Sequence, residues 1–250
     1  MSLELQGLSV AVAGKSILLS VSAIFELGTT TCIVGKNGSG KSSLAHTLMG
    51  YPQYTVTSGQ IMLGGVDITQ YSITQRAHLG MFLALQNIPE IPGIRLGEYL
   101  RTIYNEHLKR KNPEVKSLTP FVFKRYITPM LTALGLSIEF LDRDLNVGFS
   151  GGEKRRIEML QIELLEPRYI ILDEIDSGLD IGALAVVTAS LRRLATQERA
   201  VIIITHNFTL AQELQAHQVI VLEDGRITQV GDSRVIEQIA ASGVFTQNND

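Results

Sequence analysis

The chain has 250 residues, 45% of them apolar, which suffices for a full core in one large domain or one domain with an inserted lobe and excludes a disordered chain. A formal net charge of −3 argues against nucleic-acid binding through a broad basic surface. A single cysteine, Cys32, excludes an intrachain disulfide and fits a reducing compartment.

The opening segment MSLELQGLSV has neither the charged n-region nor the long apolar run of a signal peptide. No stretch approaches the ~18–20 continuous apolar residues of a membrane helix, so the expectation is a cytoplasmic protein with no direct membrane insertion. Residues 3–34, rich in Val, Ile, Leu and Thr, read as short strands broken at Gly7, Gly14 and Gly28. The β-branched run Thr29–Val34 reads as a buried strand, and KSSLAHTLMG as a helix closed by Gly50. Residues 57–70 suggest another β-turn unit. From Leu96 the spacing becomes helical in LGEYLRTIYNEHLKRK and FVFKRYITPMLTALG, joined by a polar link, Asn112–Pro120. The apolar runs Tyr169–Leu172 and Ala200–Thr205 are of the kind that parallel sheets bury on both faces. Helices are expected around them at Gly151–Glu166, Ile181–Thr196 and Leu210–Ala216, and QVIVLEDGRITQVG carries the Asp-Gly signal of a hairpin. The fold class is therefore α/β, with a mainly parallel core sheet, an antiparallel β portion and an inserted helical subdomain. The α/β core is expected at 1–86 and 160–250, with the helical subdomain at about 87–159.

The segment GKNGSGKS (Gly35, Lys36, Asn37, Gly38, Ser39, Gly40, Lys41 and Ser42, followed by Ser43) fits a phosphate-binding loop and lies between an apolar strand and a helix. Glycines let successive N–H groups face phosphate oxygens, and the helix start adds partial positive charge. Lys41 would reach the β- and γ-phosphates of ATP, and the Ser42 hydroxyl would bind Mg²⁺. Asp173 and Glu174 end an apolar strand. Carboxylates are costly there unless they are paired or bound to a cation. Asp173 would hold Mg²⁺, and Glu174 would orient or deprotonate the attacking water. His206 follows the next buried strand, where it could contact the γ-phosphate, although taken alone an ordinary loop histidine is the better reading.

A second glycine-rich helix start lies at NVGFSGGEKRR. Ser150 and Glu153 form a capping box, which does not itself require Gly151 and Gly152. Each glycine costs about 1 kcal/mol against Ala in a helix, so bare backbone for a phosphate is the attractive explanation. Together Gly35–Ser42, Gln86, FSGGE, YIILDE, SGLD and His206 resemble, in order, the Walker A, Q-loop, signature, Walker B, D-loop and switch histidine of ABC-type ATPases. The resemblance implies that Gln86 joins the nucleotide and metal site. It also implies a transient ATP-dependent homodimer in which Ser150, Gly151, Gly152 and Glu153 serve ATP held by a second chain, with Asp180 on the same seam. Within that family, NVGFSGGEKRR, LEPRYIILDEIDSGLDIGAL and QNIPEIPGI resemble the SufC family, the ATPases of the Suf iron–sulfur cluster assembly machinery. This resemblance implies scaffold partners of the SufB and SufD type. The chain itself has too few thiols to hold a cluster. The alternatives are the ATPase subunit of an ABC membrane transporter and an ATP-binding regulatory module without turnover.

Overall fold

The structure, a computed structural model, describes residues 1–177, 179–205 and 208–236. In chain order its elements begin with β1 (Ser2–Val12), β2 (Lys15–Glu26), β3 (Thr30–Val34), α1 (Lys41–Met49), β4 (Thr55–Leu63), β5 (Val66–Asp67), α2 (Ile73–His78), β6 (Met81–Ala84) and β7 (Ile91–Arg95). They continue with α3 (Leu96–Lys111), α4 (Pro120–Ala133), a 3₁₀ turn (Ile138–Asp142), β8 (Asp144–Leu145), α5 (Gly151–Leu165), β9 (Tyr169–Asp173) and α6 (Ile181–Leu194). The last elements are β10 (Ala200–Ile204), α7 (Phe208–Glu213), β11 (Gln218–Glu223) and β12 (Arg226–Gly231). The chain divides into two compact units. One takes Met1–Gln86, Pro167–Ser177 and the chain from Leu191 onward; the other takes Asn87–Glu166 and a second stretch ending at Ser190.

The first unit holds a six-stranded sheet of order β12-β11-β3-β10-β9-β6 and a four-stranded sheet of order β2-β1-β4-β5. In the larger sheet β11, β3, β10, β9 and β6 pair in parallel, and β12 closes it as an antiparallel hairpin with β11. Every residue of β3, β9 and β10 is buried, as their unbroken apolar runs require of strands covered on both faces. The smaller sheet is antiparallel and alternates between buried and outward positions. Gly7 lies inside β1 and does not end it. Both ladders of that strand shift register around it, so the glycine marks a bulge where the sequence suggests a turn.

The second unit contains α3, α4, α5 and the short β7–β8 pair. Its buried apolar residues include Leu96, Leu100, Phe123, Ile127, Leu131 and Leu141. Pro120 is the first residue of α4, capped by Thr119, so the polar link ends one residue earlier than expected; proline is preorganised for that position. Several short elements were not legible from the pattern, among them β6 and α2. Strand β6 is short, and α2 is held by the Ser72–Gln75 capping box.

Arg76 on α2 is 1% exposed. Its guanidinium donates to the carbonyls of Tyr71, Thr47, Leu48 and Thr69 at 2.8–3.0 Å, joining α1 to the end of the smaller sheet. Burial lowers its pKa to about 10, so it remains charged at neutral pH. Replacing Arg76 with Met strands four carbonyls and should cost about 3–5 kcal/mol of unfolding free energy. Urea denaturation would measure it; a loss under about 1 kcal/mol would show that water replaces the guanidinium.

Candidate active site

Strand register sets the site. Ile204 of β10 pairs with Ile33 of β3 on one side and Asp173 of β9 on the other. The carboxyl ends of three buried parallel strands therefore stop together, and β6 brings its end beside β9 through the Ala84–Leu172 pair. Open α/β sheets bind ligands at such strand ends. Here the converging segments are Gly35–Ser42 after β3, Asp173 and Glu174 at the end of β9, Thr205 after β10, and Gln86 after β6.

Gly35 can be no other residue, because a Cβ there would collide with the carbonyl oxygen of Leu222. Lys41 opens α1, is 5% exposed, and donates from Nζ to the carbonyl oxygens of Gly35 (2.8 Å) and Lys36 (2.9 Å). Burial lowers its pKa, opposed by the negative charges of Glu174 and Asp173. Ser42 Oγ donates to Asp173 Oδ1 at 3.1 Å. Asp173 is wholly buried, and among the described residues neither its Oδ2 nor the buried Ser39 Oγ has a partner. Burial raises the Asp173 pKa, and the Ser42 hydroxyl and nearby His46 only partly offset this. Glu174 breaks out of the strand at φ 47°, its N–H donating to Ile204 O at 2.9 Å. Its Oε2 accepts from Gln86 Nε2 at 2.6 Å.

An orphaned, buried carboxylate oxygen beside a hydroxyl fits a hard divalent cation. Among the described residues no group of three His, Cys, Asp or Glu could hold a metal alone. The donor set therefore suits a cation that shares its coordination with phosphate and water, as Mg²⁺ does.

The sequence did not single out two groups here. Asp176 accepts from Thr205 Oγ1 through both carboxylate oxygens at 3.0 Å, tying the turn after β9 to the end of β10. His46, one turn into α1, meets Ser42 O through Nδ1 at 2.6 Å and stacks on Tyr54 with centroids 5.3 Å apart. Asp176 falls between YIILDE and SGLD without a role read from either, and His46 lies past the end of GKNGSGKS. His206 and the C-terminal GVFTQNND lie outside the described residues.

The glycine-rich start of α5 belongs to the second unit. Ser150 is its N-cap: Glu153 N donates to Ser150 Oγ at 3.3 Å, and Ser150 N donates to Glu153 Oε2 at 2.7 Å. Gly152 has a local cause that the sequence hid, since a Cβ there would lie 2.9 Å from the Ala183 methyl group. Phosphate approach is therefore not needed to explain that glycine. Asp180 Oδ1 accepts from Ala183 N at 2.7 Å, capping α6.

The fold and this arrangement define an ATP-binding cassette of the ABC type. Residues 13–177 match the family model described as ABC transporter, and the chain belongs to this family. A probable ABC transporter ATP-binding protein of Streptococcus pyogenes serotype M18 is 41% identical over 96% of this chain and 93% of its own length. The probable ATP-dependent transporter ycf16 of Cyanidium caldarium is 39% identical over 96% of this chain and 94% of its own. The probable ATP-dependent transporter slr0075 of Synechocystis sp. is also 39% identical, over 96% and 93%. Among solved structures, a dimeric post-hydrolysis state of the cassette MJ0796 bound to ADP and Pi matches with a TM-score of 0.77 at 18% identity, covering 93% of this chain and 99% of that one. A nucleotide-free cassette from an ABC transporter matches with a TM-score of 0.77 at 22% identity, covering 97% and 96%. The chain is thus an ABC ATPase domain, homologous to ATP-hydrolysing cassettes, and the expected fold class holds.

The Asp173 carboxyl gives a pH signature. Because its folded pKa is raised, the native state keeps a proton that the unfolded chain has released. Stability therefore falls as pH climbs from the ordinary value of 3.8 through the raised one, and stays lower above it. With nucleotide and divalent cations removed, Asp173→Asn should unfold a few degrees higher than the parent at about pH 7.5, the gap closing toward about pH 4, while turnover is lost. Calorimetry across that range checks it; a variant less stable than the parent at neutral pH would contradict the burial penalty.

Proposed function

We propose that this chain binds and hydrolyses ATP at a site shared by two copies. The phosphate loop of one copy holds the nucleotide, and the Ser150–Glu153 turn of the other completes the site. The observation that carries the catalytic half is the buried Ser42–Asp173 pair with its unsatisfied oxygen, next to Glu174 held by Gln86. The dimeric state of MJ0796 supports the second half by analogy.

Backbone N–H groups of Gly38–Ser42 cradle the phosphates, and Lys41 turns from the carbonyls of Gly35 and Lys36 to the β- and γ-oxygens. Ser42 and Asp173, with Gln86 at the edge, would hold Mg²⁺, which supplies charge neutralisation between those phosphates. Glu174 orients the attacking water and takes its proton. Ser150 Oγ and the N–H groups of Gly151 and Gly152 aim at the γ-phosphate of the partner-held ATP, and Asp180 borders that seam. His206, which lies outside the described residues, would contact the γ-phosphate from its own chain. Most of the rate enhancement then comes from positioning and electrostatics, so turnover depends on pairing.

The pairing drives a partner. NVGFSGGEKRR, LEPRYIILDEIDSGLDIGAL and QNIPEIPGI favour scaffold proteins of the SufB and SufD type, remodelled during iron–sulfur cluster assembly. The chain contributes no cluster ligand: Cys32 is buried in β3, and burial with the nearby Asp176 charge pushes its thiol up to about 12. The second reading, the ATPase subunit of a membrane transporter, is favoured by the names of the relatives. No helix among the described residues is long and apolar enough to cross a membrane, so that reading needs a separate permease.

A tagged pull-down from the native host separates the two: co-purified SufB- and SufD-type scaffolds support the first, and an integral membrane permease overturns it. Glu174→Gln should keep ATP binding, lower turnover by at least about 100-fold and accumulate dimer in ATP. Parent-like turnover in that variant would remove Glu174 from the mechanism.

A further inference from the structure

The signature turn carries a fixed positive charge that belongs to none of the motifs. Arg143 lies just before β8. Its guanidinium carbon sits 4.3 Å from the ring centroid of Phe149 and 4.8 Å from that of Phe140. The two rings meet edge to face, 5.0 Å apart at 72°. Arg143 Nη2 donates to Gly148 O at 3.2 Å. Phe149 is buried and directly precedes Ser150, so the cation is tied to the residue that leads into the α5 cap.

Among the described residues no carboxylate pairs with Arg143. Its sequence neighbours are engaged elsewhere: Asp142 meets Lys124 at 3.7 Å, and Asp144 accepts from Gly93 N at 2.9 Å. Of the three cations at the start of α5, Lys154 is neutralised by Glu90 at 2.9 Å and Arg155 by Glu158 at 2.6 Å, while Arg156 is turned to the Gly135 carbonyl oxygen at 3.4 Å. Arg143 keeps its charge and remains exposed. A carboxylate would have braced the turn as well as two aromatic rings do. Rings fix the guanidinium without cancelling it, because a cation over a π face loses none of its net charge. Such a charge acts over roughly a Debye length, about 8 Å at physiological salt, which makes it a means of attracting an anion from outside.

We propose that Arg143, packed against Phe140 and Phe149 beside the signature turn, supplies the positive charge through which that turn draws the nucleotide phosphates held by a second copy of this chain. The proposal rests on the shared-site reading and names a positioning residue for it. It places the residue on the association step: loss of the charge weakens ATP-driven pairing and flattens its dependence on salt, and leaves ATP uptake by the isolated chain to its own phosphate loop.

The test uses the full chain carrying Glu174→Gln, with ATP and Mg²⁺, followed by sedimentation at low ionic strength and at about 0.15 M. Adding Arg143→Met keeps an unbranched apolar stem over the rings and removes the charge; adding Arg143→Lys keeps the charge. Unfolding midpoints and binding of a fluorescent ATP analogue to the monomer control for folding. The methionine variant should dimerise about tenfold more weakly at low salt, with a shallower salt dependence, and the lysine variant should stay within about threefold of its parent. Parent-like dimerisation of Arg143→Met overturns the proposal. So does equal weakness of Arg143→Lys and Arg143→Met, which would make the residue a brace for the turn. If the Glu174→Gln parent itself stays monomeric in ATP, the shared-site reading falls and takes this one with it; a dimerising parent with an indifferent methionine variant sinks Arg143 alone.

Discussion

A carboxylate taken wholly out of water and left half unsatisfied is the constraint around which the first unit is organised. Asp173 ends β9 in register with Ile204, one strand away from the segment that becomes the phosphate loop. The sheet supplies the burial, and Ser42 supplies one hydrogen bond to one oxygen. What remains is an energetic cost: a raised pKa and, among the described residues, an Oδ2 without a partner. Bound cation and phosphate remove that penalty, so the same geometry that weakens the free chain favours its liganded form.

Lys41 follows the same logic with opposite sign. It is buried and its ammonium is held on two carbonyls of its own loop, a partial substitute for phosphate oxygens. The ammonium and the Asp173 carboxylate each make the other's charge less costly. At the second glycine-rich helix start, the backbone is already capped by Ser150 and Glu153 and braced through Phe149 and Arg143. Preorganised donors of this kind lose little entropy when a ligand arrives.

Much of this was legible because local chemistry and tertiary demand agree. The runs YIIL and AVIIIT could only be strands buried on both faces, and GKNGSGKS has few purposes outside phosphate binding. Ser150 and Glu153 announced their capping box. The rest was hidden where a residue's role is set by distant neighbours. Gly7 looked like a turn, yet it lies in a bulge whose ladders involve strands far along the chain. Gly152 looked like a phosphate glycine, and its packing reason, Ala183, is invisible without the fold. Arg76 carries no motif, and its four carbonyl partners, all N-terminal to it and two of them nearly thirty residues away, make it a core residue. Asp176 and His46 had no role that the sequence pattern could assign, and only strand register brings Asp176 to Thr205.

The central claim is that one nucleotide needs groups from two chains. Mixing two inactive variants tests it most directly: Lys41→Ala, with a defective phosphate loop, and Gly151→Asp, with a defective signature turn. Gly151 is the better target because a side chain at Gly152 would collide with Ala183 within its own chain. In a random mixture half the dimers are mixed and each has one intact composite site, so turnover should return to about one quarter of the parental rate. A mixture that demonstrably forms mixed dimers and still releases no phosphate would contradict the account.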